Sequence, residues 1–453
     1  MNYDILFDPQ TIYDGYRTSC KHKQSKLRTL EFKENLMDNL YYIHEDLFYR
    51  LYQPGDFERF KVFEPKERNI EAPAFKDKIV LHEITDNGLY HAITSSFIRN
   101  NCSNQIHKGI ADAMIRVKHC LVKYYSHYHT SFGWILKCDI HHFFASIDHT
   151  IIKEKLKKVC IKHHIDKEIY DLLCIYIDKT EGLPLGYQTS QLLALLMLND
   201  LDHYITEQRG FNLYVRGMDD FIIISNSKRD LQFLLSDIKS YLENIHLELN
   251  DKTAIFPIAN GVDFLGYHHY LTESGAVVQK LRRSSVKKVK QRIKDWTYLY
   301  ENHQISAQEI KDSFMAWDAF AAYGDTYELR RKLADKVELL IHEPIQIHRK
   351  FNSTRIQRKA RQLRQANSIE EKNRKEFEIK SLSSGSYQLN PSTSSHHSYL
   401  DDNYALEKSI HASSVLEDDP TDERSLERRA LYDLYLNTPL GKKGLKFYGK
   451  CST

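Results

Sequence analysis

Three carboxylates in this chain have the types and spacing for chemistry on divalent metal ions. Asp219 and Asp220 stand side by side in YVRGMDDFIII, residues 214–224. They fall between two short β-forming runs, Leu213–Val215 and Phe221–Ile224, which predicts a hairpin with both carboxylates at its tip, facing solvent together. Their repulsion is relieved most simply by a divalent cation. An isolated Asp-Asp is also an ordinary charged turn. What separates the two readings here is the company the pair keeps.

Upstream, residues 135–149 read ILKCDIHHFFASIDH, an apolar run that leads into Asp139 and is followed by Phe143 and Phe144. A carboxylate at the end of a buried strand is costly unless it is paired or binds metal. Between the two sites lies GLPLGYQTSQ, residues 182–191, whose Gly and Pro mark a loop. The apolar run Leu192–Leu201 after it predicts a buried helix. Strand-Asp, loop-helix and Asp-Asp hairpin, in that order, are the parts needed to gather three carboxylates around two metal ions. One ion would activate a primer 3′-hydroxyl and the other would stabilise a leaving pyrophosphate.

With these parts in this order, the chain resembles the reverse transcriptases of bacterial retroelements over roughly residues 60–345. Asp139 matches the family's first catalytic carboxylate, and Asp219 with Asp220 matches the motif usually written YxDD. Residues 182–191 match the substrate loop, and Asn250-Asp251-Lys252-Thr253 matches the segment whose lysine lies near the incoming triphosphate. GVDFLGY, Gly261–Tyr267, matches the primer-grip hairpin, and residues 65–82 match the fingers segment that precedes these motifs.

The resemblance implies an α+β right-hand polymerase, with helical fingers, a palm of antiparallel sheet backed by helices, and a helical thumb. It implies RNA-templated DNA synthesis with two Mg²⁺ ions, Mn²⁺ being the other ion that would serve. Asp139, Asp219 and Asp220 carry over as catalytic residues, and with Ile140 they form the implied metal set. Arg68, Lys78, Phe144, Leu185, Gly186, Gln191 and Lys252 carry over as nucleotide-binding positions, and Phe264, Leu265 and Gly266 as the primer grip. Phe144, five residues after Asp139, falls at the steric-gate position, where an aromatic ring favours deoxynucleotides. Alternation along a strand end would put one of Phe143 and Phe144 in the core and turn the other toward the site. Lys252 would neutralise or protonate the pyrophosphate.

Two positions depart from the family pattern. Gly217 stands where YxDD has its tyrosine, which removes a ring from the primer side and is expected to loosen the hairpin backbone. Leu185 stands where many reverse transcriptases have a nucleotide-contacting glutamine, and Ser190-Gln191 replaces Ser-Pro. Both features resemble diversity-generating retroelements and the defence-associated bacterial enzymes, and in the former group they accompany error-prone copying.

The net charge of the 453-residue chain is only +3, so global charge does not announce nucleic acid. Its distribution does. From Lys280 to Lys294, eight basic residues face no acidic one. Val286, Val289, Ile293 and Trp296 fall on one helical face and Arg283, Lys287, Lys290 and Lys294 on another, with Ser284 or Ser285 as the expected cap. Following the primer grip, where the family has its thumb, this basic face is expected to track a phosphate backbone. Helical patterns at about 306–321 and 325–342 complete a three-helix thumb.

The expected organisation is therefore an N-terminal helical segment (1–60), fingers and palm (61–280), thumb (281–345) and a basic C-terminal extension (346–453). The extension holds seven basic residues between Arg349 and Arg364, a serine-rich linker at 381–398 and a helical pattern at 424–437. It could bind structured RNA, mediate assembly or supply a priming tyrosine from Tyr387, Tyr399 or Tyr404. No signal peptide or membrane span is seen, and seven single cysteines point to a reducing, cytoplasmic setting. The His141-His142 and His163-His164 pairs lack the partners of a zinc site.

The expected partners are a structured noncoding template RNA, a DNA primer or product, dNTPs, and a second copy or an accessory protein. The expected setting is bacterial anti-phage defence. Three alternatives stand beside it: mutagenic copying in a diversity-generating retroelement, template-independent DNA synthesis, and a non-catalytic RNA-binding scaffold.

Overall fold

Strand β5 (Asp220–Ser225) is apolar through its middle because both of its faces are covered. In the computed structural model, which describes residues 1–63 and 67–348, this strand lies inside a four-stranded antiparallel sheet. The order is β4-β5-β3-β6, with β3 at Trp134–Asp139, β4 at Tyr214–Gly217 and β6 at Ala254–Pro257. Leu136, Cys138, Phe221 and Ile223 pack on one side, in a cluster with Leu231, Leu234 and Ile238 of the helix Lys228–Asn244. Ile135, Val215, Ile222 and Ile224 pack on the other, with Val117, Leu121 and Tyr124 of the helix Ile110–Tyr128. The period-2 alternation of each strand thus feeds two separate cores.

The second sheet is a three-stranded antiparallel meander of β7 (Val262–Phe264), β8 (Tyr267–Leu271) and β9 (Val277–Leu281). Its Val262, Phe264 and Leu271 join the same cluster as Val215 and Ile222, so it lies against that second face of the palm. A two-stranded hairpin, β1 (Glu58–Val62) with β2 (Arg68–Ala72), leads into the helix Phe75–Ile84, which packs on the N-terminal helix Pro9–Cys20. The expected helical pattern from Leu27 to Leu51 appears as two helices, Leu27–Glu34 and Leu36–Phe48.

Three helices follow β9: Arg283–Glu301, Ala307–Ala321 and Tyr327–Ile341. They share a core of Val289, Ile293, Trp296, Phe314, Leu333 and Val337. Ser306 and Glu309 form a capping box at the start of the second helix. The first helix corrects one expectation. It begins at Arg283, with Arg282 in the cap position and no side-chain cap hydrogen bond, so Ser284 and Ser285 lie inside the helix rather than capping it. The buried pair Arg330–Asp318 receives His348, whose backbone N–H donates to Asp318 Oδ2 at 2.6 Å. The basic run at 349–364, the serine-rich stretch, the pattern at 424–437 and Tyr387, Tyr399 and Tyr404 lie outside the described residues. Among the described residues, no helix is long and apolar enough to cross a membrane.

Candidate active site

Register brings the carboxylates together. Asp139 is the last residue of β3 and pairs directly with Asp220, the first residue of β5. Residues opposite each other in an antiparallel pair present their side chains on the same face. Gly217 pairs with Asp220 across β4 and β5, which leaves Met218 and Asp219 as a two-residue loop. Met218 has φ +70°, the positive value that the first loop residue of a type II′ turn needs. Asp219 and Asp220 therefore do not share the hairpin tip, as the sequence suggested. Asp219 sits in the turn and Asp220 in the strand, and both are half-buried.

Burial is the largest influence on both, and it pushes their carboxyls above the usual range, Asp220 to about 6. The Asp139 charge adds to each rise. Arg68 and Arg216 oppose it at Asp219, and Lys137 opposes it at Asp220. Lys137 Nζ lies 3.3 Å from Asp220 Oδ2 and donates to the Asp263 carbonyl at 2.7 Å. Asp220 Oδ1 is buried with no hydrogen-bond partner. An unsatisfied carboxylate oxygen is the type of donor a hard divalent cation takes, but among the described residues no three acidic, His or Cys side chains are gathered closely enough to form a ready metal site. Ile140 has a buried side chain and could join only through its carbonyl.

The next two segments close around this centre. The Asn250 backbone N–H donates to the Asp139 carbonyl at 2.7 Å, and the Asp139 N–H meets Thr253 Oγ1 at 3.4 Å. Lys252, exposed in the turn between them, is thereby held beside β3. The Leu183 N–H donates to the Phe144 carbonyl at 2.8 Å, which ties the substrate loop to the aromatic position.

Residues 66–269 match the family model of reverse transcriptase (RNA-dependent DNA polymerase). These residues carry a reverse transcriptase domain. The chain is 23% identical to protein YkfC of Escherichia coli K12, in an alignment covering 50% of this chain and 69% of that protein. Among solved structures it is similar to Candida albicans telomerase in complex with a TWJ fragment of telomeric RNA, at a TM-score of 0.41 and 10% identity over 64% of each chain. It is also similar to apo telomerase from Candida tropicalis truncated from its C-terminal domain, at 0.38 and 16% identity over 49% of this chain and 54% of that one. The matched part is thus about half to two thirds of those telomerase chains.

The other expected site residues fall in three places. Phe144, Leu185 and Gly186 are half-buried and Gln191 is exposed, all on or beside the substrate loop, and Gly186 fits tightly against the Glu71–Ala72 backbone of β2. Arg68 is exposed at the start of β2, close enough for its charge to act on Asp219. Lys78 is half-buried on the helix Phe75–Ile84. Burial lowers its amine pKa, and the charges that act on it are Lys23, Arg28 and Glu58 rather than Asp139, Asp219 or Asp220. Arg283, Lys287, Lys290 and Lys294 are all exposed on the first thumb helix.

Two expectations are corrected. Phe143 is core and Phe144 half-buried, but they lie in a 3₁₀ turn, Phe143–Ser146, so turn geometry and not strand alternation separates them. In the primer grip, Leu265 and Gly266 form the β7–β8 turn, but the Phe264 side chain is 1% exposed and supports that turn from the core.

Sequence reading missed Lys137, Arg216 and Asp202. Lys137 carried a signal, since it stands two residues before Asp139 and so on the same strand face. Arg216 carried another, being a charge inside an apolar strand, which must find a buried partner. Nothing in the sequence named Asp202 as that partner.

Proposed function

We propose that this chain is an active RNA-directed DNA polymerase that copies a dedicated structured noncoding RNA into DNA, in anti-phage defence. The observation that carries the catalytic reading is the direct pairing of Asp139 with Asp220, with Asp219 in the adjoining turn. Asp139, Asp219 and Asp220, with the Ile140 carbonyl, would hold two Mg²⁺ ions, for which all-oxygen donors are suited. When bound, such ions supply activation of the primer hydroxyl and stabilisation of the departing pyrophosphate. The chain's own residues do the rest. Lys252 is held beside Asp139 to meet the triphosphate, and Arg68 brings a second positive charge from the fingers. The Phe144 ring would exclude a ribose 2′-hydroxyl, so the product is DNA. The exposed lysines of the first thumb helix would follow the duplex backbone.

The defence setting rests on the resemblance of the substrate loop, Leu185-Gly186 through Ser190-Gln191, to defence-associated enzymes. Leu185 with Ser190-Gln191 also favours a second reading, error-prone copying in a diversity-generating retroelement.

The test is to sequence the RNA and DNA that copurify with the wild-type protein and with Asp219→Ala/Asp220→Ala, both expressed from the native locus. A discrete complementary DNA matching a bound RNA, lost in the variant, is the expected result. Homopolymeric DNA without a matching RNA would overturn templated copying, and bound RNA with no DNA from either protein would leave a scaffold. Scattered mismatches in the copies would favour the second reading.

A further inference from the structure

At the end of β3 away from Asp139, the palm carries exposed rings beside cations that no carboxylate neutralises. Phe132 stands just before the strand and is 68% exposed, and Phe233, on the helix Lys228–Asn244, is 53% exposed. Half-buried Trp134 opens β3 and meets Phe132 edge to face, with ring centroids 6.2 Å apart. Lys228 Nζ lies 4.8 Å from the centroid of the Trp134 ring, and the Arg229 guanidinium carbon lies 5.4 Å from that of Phe233. Trp134 and Asp139 are the two ends of β3, which at about 3.4 Å per residue sets them roughly 17 Å apart.

Single exposed apolar residues are ordinary, but neighbouring exposed rings mark a surface that meets a partner. The cations stand in an unfavourable place as well. Lys228 and Arg229 are the first two residues of their helix, where the positive end of the helix dipole disfavours them. Among the described residues neither is in an ion pair; each sits over a ring instead and keeps its charge for a partner. Flat rings for bases and unpaired cations for phosphates are the two components of a site for single-stranded nucleic acid. A duplex does not suit it, because paired bases stack on one another and offer the rings no face.

We propose that this surface binds single-stranded RNA, with bases stacked on Phe132 and Phe233 and phosphates held by Lys228 and Arg229. RNA is the occupant because residues 66–269 match an RNA-dependent DNA polymerase, whose template is single-stranded where it has not yet been copied. The surface lies outside the polymerase centre, so it holds a stretch of RNA away from the copied nucleotide, and its binding does not depend on catalysis.

The test uses the full chain and a fluorescent RNA of about 12 nucleotides, within the usual span of a single-strand site. Excess unlabelled RNA–DNA hybrid fills the polymerase cleft. The labelled RNA is offered as a single strand and as a duplex, and DNA of the same sequence is offered as a single strand. Phe132→Ala/Phe233→Ala and Lys228→Gln/Arg229→Gln are compared with wild type. All four side chains are exposed, so the melting temperatures should hold. The ring variant should raise the single-strand Kd roughly ten-fold or more, as loss of stacked rings does, and leave its salt dependence unchanged. The cation variant should reduce the slope of log K against log salt by about 1.4, roughly 0.7 for each phosphate released. Duplex binding and extension of a short hybrid primer should be unaffected by either. An unchanged single-strand Kd in the ring variant, or an equal loss for duplex and single strand, overturns the stacking surface. An unchanged slope in the cation variant overturns the phosphate contacts, and DNA bound more tightly than RNA overturns RNA as the occupant. A ring variant that alters only the sedimentation of the protein would make the patch a contact between protein chains and overturn the proposal. If the wild-type protein extends no primer, the polymerase reading fails, while the single-strand Kd and salt slope still decide this surface.

Discussion

Arg216 grips Asp202 with two guanidinium nitrogens, Nε to Oδ1 at 2.7 Å and Nη2 to Oδ2 at 2.5 Å, and both side chains are fully buried. The remaining nitrogen, Nη1, donates to the Met218 carbonyl at 2.9 Å. Tyr214 adds its hydroxyl to Asp202 Oδ1 at 2.6 Å. A buried ion pair thus reaches from the helical core to the turn that carries Asp219, and it holds Met218 in its positive-φ conformation. Breaking one side of such a pair strands the other charge, at a cost on the order of 3–5 kcal/mol. Asp202→Asn should therefore lower the melting temperature and reduce kcat together. A variant as stable as wild type would show that Arg216 finds another partner.

Substitution of Asp139, Asp219 or Asp220 by Asn should cut DNA synthesis by about a thousand-fold or more, as loss of a metal ligand does, and chelation by EDTA should have the same effect. The stability change has the opposite sign. The Asp220 carboxyl is raised to about 6, chiefly by burial, so its contribution to stability is present below the ordinary value of 3.8 and is lost as pH rises through about 6. At pH 8 in EDTA, Asp220→Asn should melt no lower than wild type. Thermal melting across pH checks this, and a marked drop would make the carboxylate a structural residue.

His269 gives the primer-grip sheet an acid limit. It is 1% exposed, and its Nδ1 accepts from Gln279 Nε2 at 2.9 Å. The same Gln279 amide nitrogen donates to the Met114 carbonyl at 2.8 Å, which fixes its orientation and places the imidazole proton on Nε2. Burial, the largest cause, lowers the imidazole pKa to about 4. Its contribution is therefore full above the unfolded value of 6.5 and is lost as pH falls toward about 4, an effect on the order of 3 kcal/mol. His269→Gln should flatten the fall in melting temperature over that window. An unchanged acid limb would place the titration elsewhere.

Phe144→Ala should raise ribonucleotide incorporation by roughly ten- to a hundred-fold relative to deoxynucleotides, since one steric clash is worth about that much discrimination. The loop should hold its place, because the Leu183 N–H reaches the backbone carbonyl of residue 144 and not its ring. Competitive incorporation of rGTP against dGTP reads the ratio. No change would mean that another side chain meets the sugar.

Lys287→Gln/Lys290→Gln/Lys294→Gln should weaken hybrid-duplex binding and reduce the slope of log K against log salt by up to about 3, roughly one for each phosphate that a lysine no longer neutralises. All three lysines are exposed, so the melting temperature should hold. A slope equal to that of wild type would remove this face from the duplex path.

What the sequence determined by itself was local. Apolar runs of strand length, a loop marked by Gly and Pro, and helical periodicity after the primer grip put β3, β5, the helix Gln188–Met197 and the thumb helices near their observed places. Their order along the chain was enough to mark Asp139, Asp219 and Asp220, because the chemistry of adjacent carboxylates does not depend on where the rest of the chain goes. Tertiary structure decided the relations between distant segments. Hydrogen-bond register set Asp139 opposite Asp220 and split the Asp-Asp pair between strand and turn. The space beside Gly217 is set by Leu265, far along the chain, whose nearest methyl carbon would lie 3.0 Å from a Cβ at position 217. Arg216 announced a buried partner, and only the fold could supply Asp202. Local propensity acts through each residue's own backbone and near neighbours, whereas register, burial and packing across hairpins arise only when segments far apart in sequence exclude water together.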